Sequence, residues 1–147
     1  MVDQNVIAKI QLQDEEFYLV DACLLESFRK MVFEKIIEGE IPCHKLYEDD
    51  NTFSFLDISP NTKGHALVIT KQPHKNIYEI SDDNAEHLIK SVKKVTRALK
   101  QVLNADGINI LMNNEEPAGQ VVFHAHIHIL PRFKGDNGYH GVKYKYK

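Results

Sequence analysis

From Lys45 onward the chain alternates apolar and polar residues in short bursts. KLYED and TFSFLDI are aromatic and β-branched runs separated by the polar EDDN, which predicts a hairpin. SPNTKG then supplies a loop, and HALVITK predicts a third strand with a core-facing side. At Ser81 the period changes. Ser81 is a candidate N-cap with Asp82 and Asp83 in the first turn, where the helix dipole favours negative charge. Ala85, Leu88, Ile89, Val92, Val95, Leu99, Val102 and Leu103 recur at helical spacing, while Lys90, Lys93, Lys94 and Lys100 fall mostly on other faces. After NADG, the runs INILMNN and VVFHAHIHIL predict two more strands joined by NEEPAG. Three strands, a long helix and two strands predict an α+β fold, a five-stranded and mainly antiparallel sheet with one long helix.

The N-terminal part is less regular. Val6, Ile7, Ile10 and Leu12 suit a short strand, and Phe17 to Ile37 carries apolar residues compatible with a helix. The expected division is a largely helical extension over residues 1–30 and the main domain over 31–147.

Composition narrows the class without naming a function. With 147 residues, 43% hydrophobic and 27% charged, the chain has the make-up of one soluble globular domain with a real core. A net charge of -3 gives no basic field for a nucleic-acid backbone, the short KYKYK tail apart. Cys23 and Cys43 lie far apart and outside any CxxC spacing, so neither a disulfide framework nor a zinc knuckle is expected. The first residues lack the features of a secretion signal, and no apolar run is long enough to span a bilayer. The expectation is a cytoplasmic protein with neither nucleic acid nor membrane as partner.

The chemistry is concentrated between Val121 and Leu130. A period of two puts Val122, His124, His126, His128 and Leu130 on one face and Val121, Phe123, Ala125, Ile127 and Ile129 on the other. The second set is wholly apolar and should lie under the helix, with Pro131 closing the strand. Alternate residues on a strand are about 6.5 to 7 Å apart, so neighbouring imidazoles can meet one substrate. A merely solvated face is disfavoured, because a row of titratable rings repels itself when protonated. A metal site remains an alternative, with Asp57 or His65 completing the shell. Nucleophilic catalysis explains more: neutral imidazole attacks phosphorus, and a second ring orients it or serves the leaving group.

The stretch AGQVVFHAHIHILPR resembles the signature of the histidine triad family, in which three histidines alternate with apolar residues. KIIEGEIPCHKLYEDDNTFSFLDISPNTKGHALVITK resembles the same family's N-terminal half, so the likeness runs from Phe33 to Phe133. The resemblance implies that His126 is the nucleophile at a nucleotide's α-phosphorus and that His128 contacts phosphate and assists the leaving group. It implies that His124 and His65 orient the cluster. Asp57 would bind the ribose hydroxyls, Phe55 and Ile58 would wall the base, and Asn113 and Gln120 would lie near the phosphate and leaving group. Backbone N–H groups near Gly119 and Gln120 would face charge developing on phosphorus.

The chain departs from the family pattern in two places. Met31, Val32, Phe33 and Glu34 stand where many bacterial members carry CxxC, which argues against their structural zinc. Val121 replaces a Ser or Thr hydroxyl near the leaving group. His44, His74, His87 and His140 fit no constellation and read as surface residues. The resemblance implies a homodimer and a hydrolase of purine nucleotides, either adenosine phosphoramidates or dinucleoside polyphosphates, that needs no cofactor and no metal for the chemical step. The alternatives are a nucleotide-binding regulatory module with little turnover and a His-ligated metallohydrolase.

Overall fold

The computed structural model describes residues 8–12, 15–19 and 32–138. Near the N-terminus, β1 (Ala8–Leu12) and β2 (Glu15–Leu19) pair antiparallel, with Leu12 opposite Glu15. The strand expected around Ile10 and Leu12 is present, but Phe17 to Leu19 belong to a strand rather than a helix. Glu15, Glu16, Phe17, Tyr18 and Leu19 find backbone partners in β1, and that pairing overrides the weak helical spacing there. Residues 32–37 are helical (α1). The remainder of the expected extension, including Cys23 and residues 20–31, lies outside the described residues, as does His140.

The main sheet has five strands in the order β3-β4-β5-β7-β6, antiparallel throughout: β3 (Lys45–Glu48), β4 (Thr52–Leu56), β5 (Ala66–Thr70), β6 (Gly107–Leu111) and β7 (His126–Arg132). The one long helix among the described residues, α2 (Asp82–Leu103), starts where Ser81 Oγ accepts from Asn84 N at 3.2 Å and ends at the left-handed Asn104. No helix among the described residues is long and apolar enough to cross a membrane.

Both faces of the sheet are covered. On one, Leu88, Val92, Val95 and Leu99 of α2 pack on Ala66, Val68, Ile127 and Ile129. On the other, Val32, Phe33 and Ile36 of α1 pack with Ile41 on Phe53, Phe55, Leu67 and Ile69. The period of two in β4, β5 and β7 divides these sets, and Leu67 and Ile69 sit opposite His128 and His126. Ile89 and Val102, expected in the packed stripe of α2, are exposed, because the contact face of the helix is narrower than its apolar spacing suggests.

One carboxylate ties the first hairpin to α2. Asp49 accepts from Asn51 N at 2.8 Å, Thr52 N at 2.7 Å and Tyr47 Oη at 2.9 Å, and Ser91 Oγ of α2 donates to it at 3.3 Å. Burial alone would raise its pKa, but these hydrogen bonds outweigh burial and bring it to about 2. The polar EDDN segment is thus a turn and a clasp at once.

Candidate active site

The strand carrying the histidines is shorter and shifted relative to the expected Val121–Leu130. It begins at His126, opposite Ile69 near the end of β5, and runs to Arg132. Upstream, the backbone leaves the sheet, held by acceptors at the last residue of β5 and just beyond it. His124 Nε2 donates to Thr70 O at 2.6 Å, and Ala125 N donates to His74 O at 2.6 Å. Pro131 does not close the strand. The β5 ladder stops at Ala66 opposite Ile129, so the missing N–H of proline leaves no β5 carbonyl unpaired, while pairing to β6 continues through Arg132.

His74 is more than a surface residue. It is half-buried, its carbonyl holds Ala125, and its Nε2 lies 3.1 Å from Asn84 Nδ2 at the start of α2.

Three rings gather on the α1 side of the sheet. His124 is fully buried, His126 keeps 6% exposure, and His128 is half-buried. The Phe33 ring meets His124 edge-on at 5.7 Å and His126 at 5.1 Å between centroids. In the sequence Phe33 is one of the four residues aligned with the CxxC motif and one apolar residue of the Phe17 to Ile37 stretch. Its contact with the histidines depends on the placement of α1, which spacing along β7 cannot reveal.

Hydrogen bonds fix the tautomers. His126 Nδ1 donates to His124 O at 2.7 Å, which leaves its Nε2 with a free lone pair. The backbone N–H of Asn61 donates to His65 Nδ1 at 3.1 Å, so His65 carries its proton on Nε2 and donates it to His128 Nδ1 at 2.9 Å. His128 must then hold its own proton on Nε2. A nitrogen lone pair and an N–H donor thus occupy adjacent rings whose centroids are 5.0 Å apart.

The loop preceding β5 delivers His65 to this chain. Asp57 N donates to His65 O at 2.9 Å and His65 N to Thr62 O at 3.1 Å, closing residues 57–65 on themselves. Gly64 has φ +80°, a conformation that calls for glycine, and it packs against the end of the Leu103 side chain.

Burial keeps the rings neutral. Desolvation lowers the His126 pKa to about 4, against the bond to His124 O and nearby Asp57, with His128 adding to the depression. Desolvation likewise lowers His124 to about 4. The pKa values of His65 and His128 are also depressed by desolvation, and Asp57 opposes the shift in both.

The remaining expected residues fall around this cluster. Asp57 Oδ1 accepts from Ser59 N at 2.8 Å, and its Oδ2 lies 3.6 Å from His65 Nε2. Asp57, His65 and His128 place their donor atoms within 4.8 Å of one another, the one grouping among the described residues that a metal ion would fit. His65 Nε2 and His128 Nδ1 are already joined by a hydrogen bond, so an ion bound through either of those atoms would have to replace the link.

Phe55 is buried against Phe33, with centroids 5.7 Å apart, and Ile58 is exposed nearby in sequence. Asn113 approaches Gly119, whose φ is +93°. Gln120 is buried with its amide turned onto backbone, accepting from Glu115 N and donating to Lys75 O and Val122 O. The expectation that N–H groups of Gly119 and Gln120 face an anion is not met. They donate instead to Glu116 O and Glu115 O, closing the short 3-10 turn Glu116–Ala118.

An α+β domain presenting an ordered imidazole cluster on one sheet face matches known proteins. A family profile for the HIT domain fits residues 38–135. The chain is 47% identical over 111 residues to Protein hit of Bacillus subtilis (strain 168), covering 76% of this chain and 77% of that protein. It is 44% identical over 101 residues to the adenosine 5'-monophosphoramidase hnt1 of Schizosaccharomyces pombe, covering 69% and 73%. A crystal structure of a HIT family member from Bacillus subtilis superposes with a TM-score of 0.74 at 45% identity, covering 78% of this chain and 82% of that one. The chain therefore belongs to the histidine triad (HIT) family.

Proposed function

We propose that the protein is a nucleotide hydrolase acting at the α-phosphorus through a transient nucleotidyl-His126 intermediate. The observation that carries this reading is the direction of the hydrogen bond from His126 to His124 O, which leaves a neutral Nε2 beside the N–H of His128. Burial that holds the His126 pKa near 4 keeps this nitrogen nucleophilic throughout the neutral range.

His126 is nearly closed to solvent and His128 is half open, so phosphorus approaches from the His128 side. His126 Nε2 forms a bond to phosphorus while the bond to the leaving group breaks, its electron pair departing with that group. His128 Nε2–H hydrogen-bonds the phosphate and the departing atom. Water then attacks phosphorus and gives up a proton to solvent, the P–N bond breaks with its pair returning to His126, and a nucleoside monophosphate leaves.

In this reading Asp57 accepts the ribose hydroxyls, and Phe55 and Ile58 border the base together with α1. Asn113 and the Gly119–Gln120 turn flank the phosphate, Gln120 as a positioning residue. His65 and His124 set the two tautomers. The named activity of the fission yeast relative supports a phosphoramidase or a related adenylyl hydrolase acting on purine nucleotides. A homodimer is proposed on family likeness alone.

Incubation with adenosine phosphoramidate and diadenosine polyphosphates, with and without chelator, tests the proposal. Chelator-resistant turnover, loss of it in His126→Ala, and an AMP adduct mapped by mass spectrometry to His126 are expected. Binding without turnover would leave a nucleotide-binding module. The grouping of Asp57, His65 and His128 favours one second reading, a metallohydrolase, for which chelator would abolish turnover.

A further inference from the structure

The solvent face of α2 carries charge of one sign. Lys90, Lys93, Lys94, Arg97 and Lys100 are all exposed, no acidic residue falls between Lys90 and Lys100, and the first four line one shallow recess. Cations three and four positions apart on a helix repel one another. Among the described residues none of Lys90, Lys93 and Arg97 has a carboxylate partner, since the ion pairs found there involve Lys45, His65, Lys71 and Arg132. Beside this stripe an apolar groove of about 230 Å³ lies between α2 and β3, with Leu46, Tyr47, Ala98 and Val102 in its lining. Lys94 borders both, and its Nζ donates to Tyr47 Oη at 3.2 Å. Leu46 and Val102 keep 41% and 81% exposure. The groove sits at the β3 edge of the sheet, the edge opposite β6.

The same chain carries a segment of matching composition. Residues 14–21 read DEEFYLVD, with Asp14, Glu15, Glu16 and Asp21 acidic, the residues between them apolar, and no base. Glu15–Leu19 form β2, whose only strand partner among the described residues is β1. A two-stranded hairpin is marginal by itself in water and needs a surface to pack on. The chain is long enough to reach α2. Residues 20–31 join Leu19 to α1, which packs on Phe53 and Phe55 of β4, next to the edge strand β3. Layers on the two faces of a sheet lie roughly 20 Å apart, whereas a linker of this length spans up to about 40 Å.

We propose that the hairpin of β1 and β2, through the acidic residues 14–21, docks on the cationic face of α2 in the same chain. Its carboxylates meet Lys90, Lys93, Lys94 and Arg97, and its apolar residues cover the groove beside β3. Docking relieves the repulsion along α2 and shields Leu46 and Val102 from water. Tethering favours this occupant over a separate acidic partner, because a linked segment has an effective concentration in roughly the millimolar range, where weak surface ion pairs suffice. The proposal does not depend on His126 as nucleophile.

Carbodiimide joins a carboxylate to an amine only where the two touch, so it reads this contact in the full chain. At low salt, links from Asp14, Glu15, Glu16 or Asp21 to Lys90, Lys93 and Lys94 should exceed those to Lys63, Lys75 and Lys134 by about 5-fold or more, and about 0.5 M salt should abolish the preference. Lys93→Glu with Arg97→Glu should reduce the links to Lys90 and Lys94 by about 5-fold or more, although both amines remain. Adding Glu15→Lys and Glu16→Lys to that pair should restore the contact, read as links with amine and carboxylate exchanged. An equal mixture of unlabelled and isotope-labelled protein separates links within a chain from links between copies. Absence of links to α2, links spread evenly over all lysines, links indifferent to salt, or links formed only between copies would overturn the proposal. The salt series uses the wild-type chain alone, so it decides the matter even where the charge-reversed variants do not fold.

Discussion

The two faces of the central sheet are built from the same strands by the same alternation, yet they differ in kind. On the α2 side, aliphatic residues of β5 and β7 meet aliphatic residues of the helix. On the α1 side, phenylalanines pack against imidazoles whose nitrogens are each assigned by a hydrogen bond or left as a lone pair. Burial on the first face supplies stability. Burial on the second also holds bases in their neutral form, at a cost whenever solvent pH favours protonation. Substitutions on the two faces should therefore separate folding from chemistry.

The largest separation is expected from His126→Ala, which should reduce turnover by about 1,000-fold or more by removing the nucleophile. Its melting temperature should fall by far less than that of a helix-face variant, and a variant that keeps its activity would erase the distinction. On the other face, Leu88→Ala empties a fully packed site and should cost about 2 to 5 kcal/mol in urea unfolding. Its kcat below the transition should stay close to wild type, and a large loss there would mean that α2 also shapes the site.

A pH series sharpens the comparison. His124 and His126 have folded pKa values of about 4, below the ordinary 6.5, so the unfolded chain binds more protons between those values. Their contribution to stability is present above pH 6.5 and is lost as pH falls toward 4. Chemical denaturation between pH 7.5 and 4.5 should show declining stability, with a shallower slope in His126→Ala. An unchanged slope would mean that the ring is not held neutral by burial. The smallest effect is expected from Ser81→Ala at the N-cap of α2, about 1 kcal/mol in a denaturant midpoint and none in turnover.

Most of this division was written in the sequence wherever a period and a boundary residue agreed. Ser81, Asp82 and the spacing from Leu88 to Leu99 specify α2 by local rules, and Ile127 and Ile129 fall beneath it as alternation requires. Alternation also placed His126 and His128 together. It failed one residue upstream, because the course of the chain at His124 and Ala125 is decided by carbonyls of Thr70 and His74, over fifty residues away. Pro131 likewise read as a stop, since a sequence does not reveal that β5 ends before reaching it. The role of Phe33 is hidden for a similar reason: it matters through His124 and His126, neighbours that only the folded chain supplies.

The hydrogen-bond chain that sets the tautomer of His128 begins at the main chain of residue 61 and not at a side chain. Nearly any amino acid can stand there without disturbing the imidazoles, so this position should drift freely. Proline alone is barred, because it has no amide hydrogen to give. A mutational scan of residue 61 should thus read as permissive with a single forbidden letter, an unusual signature for a position wired to a reaction centre.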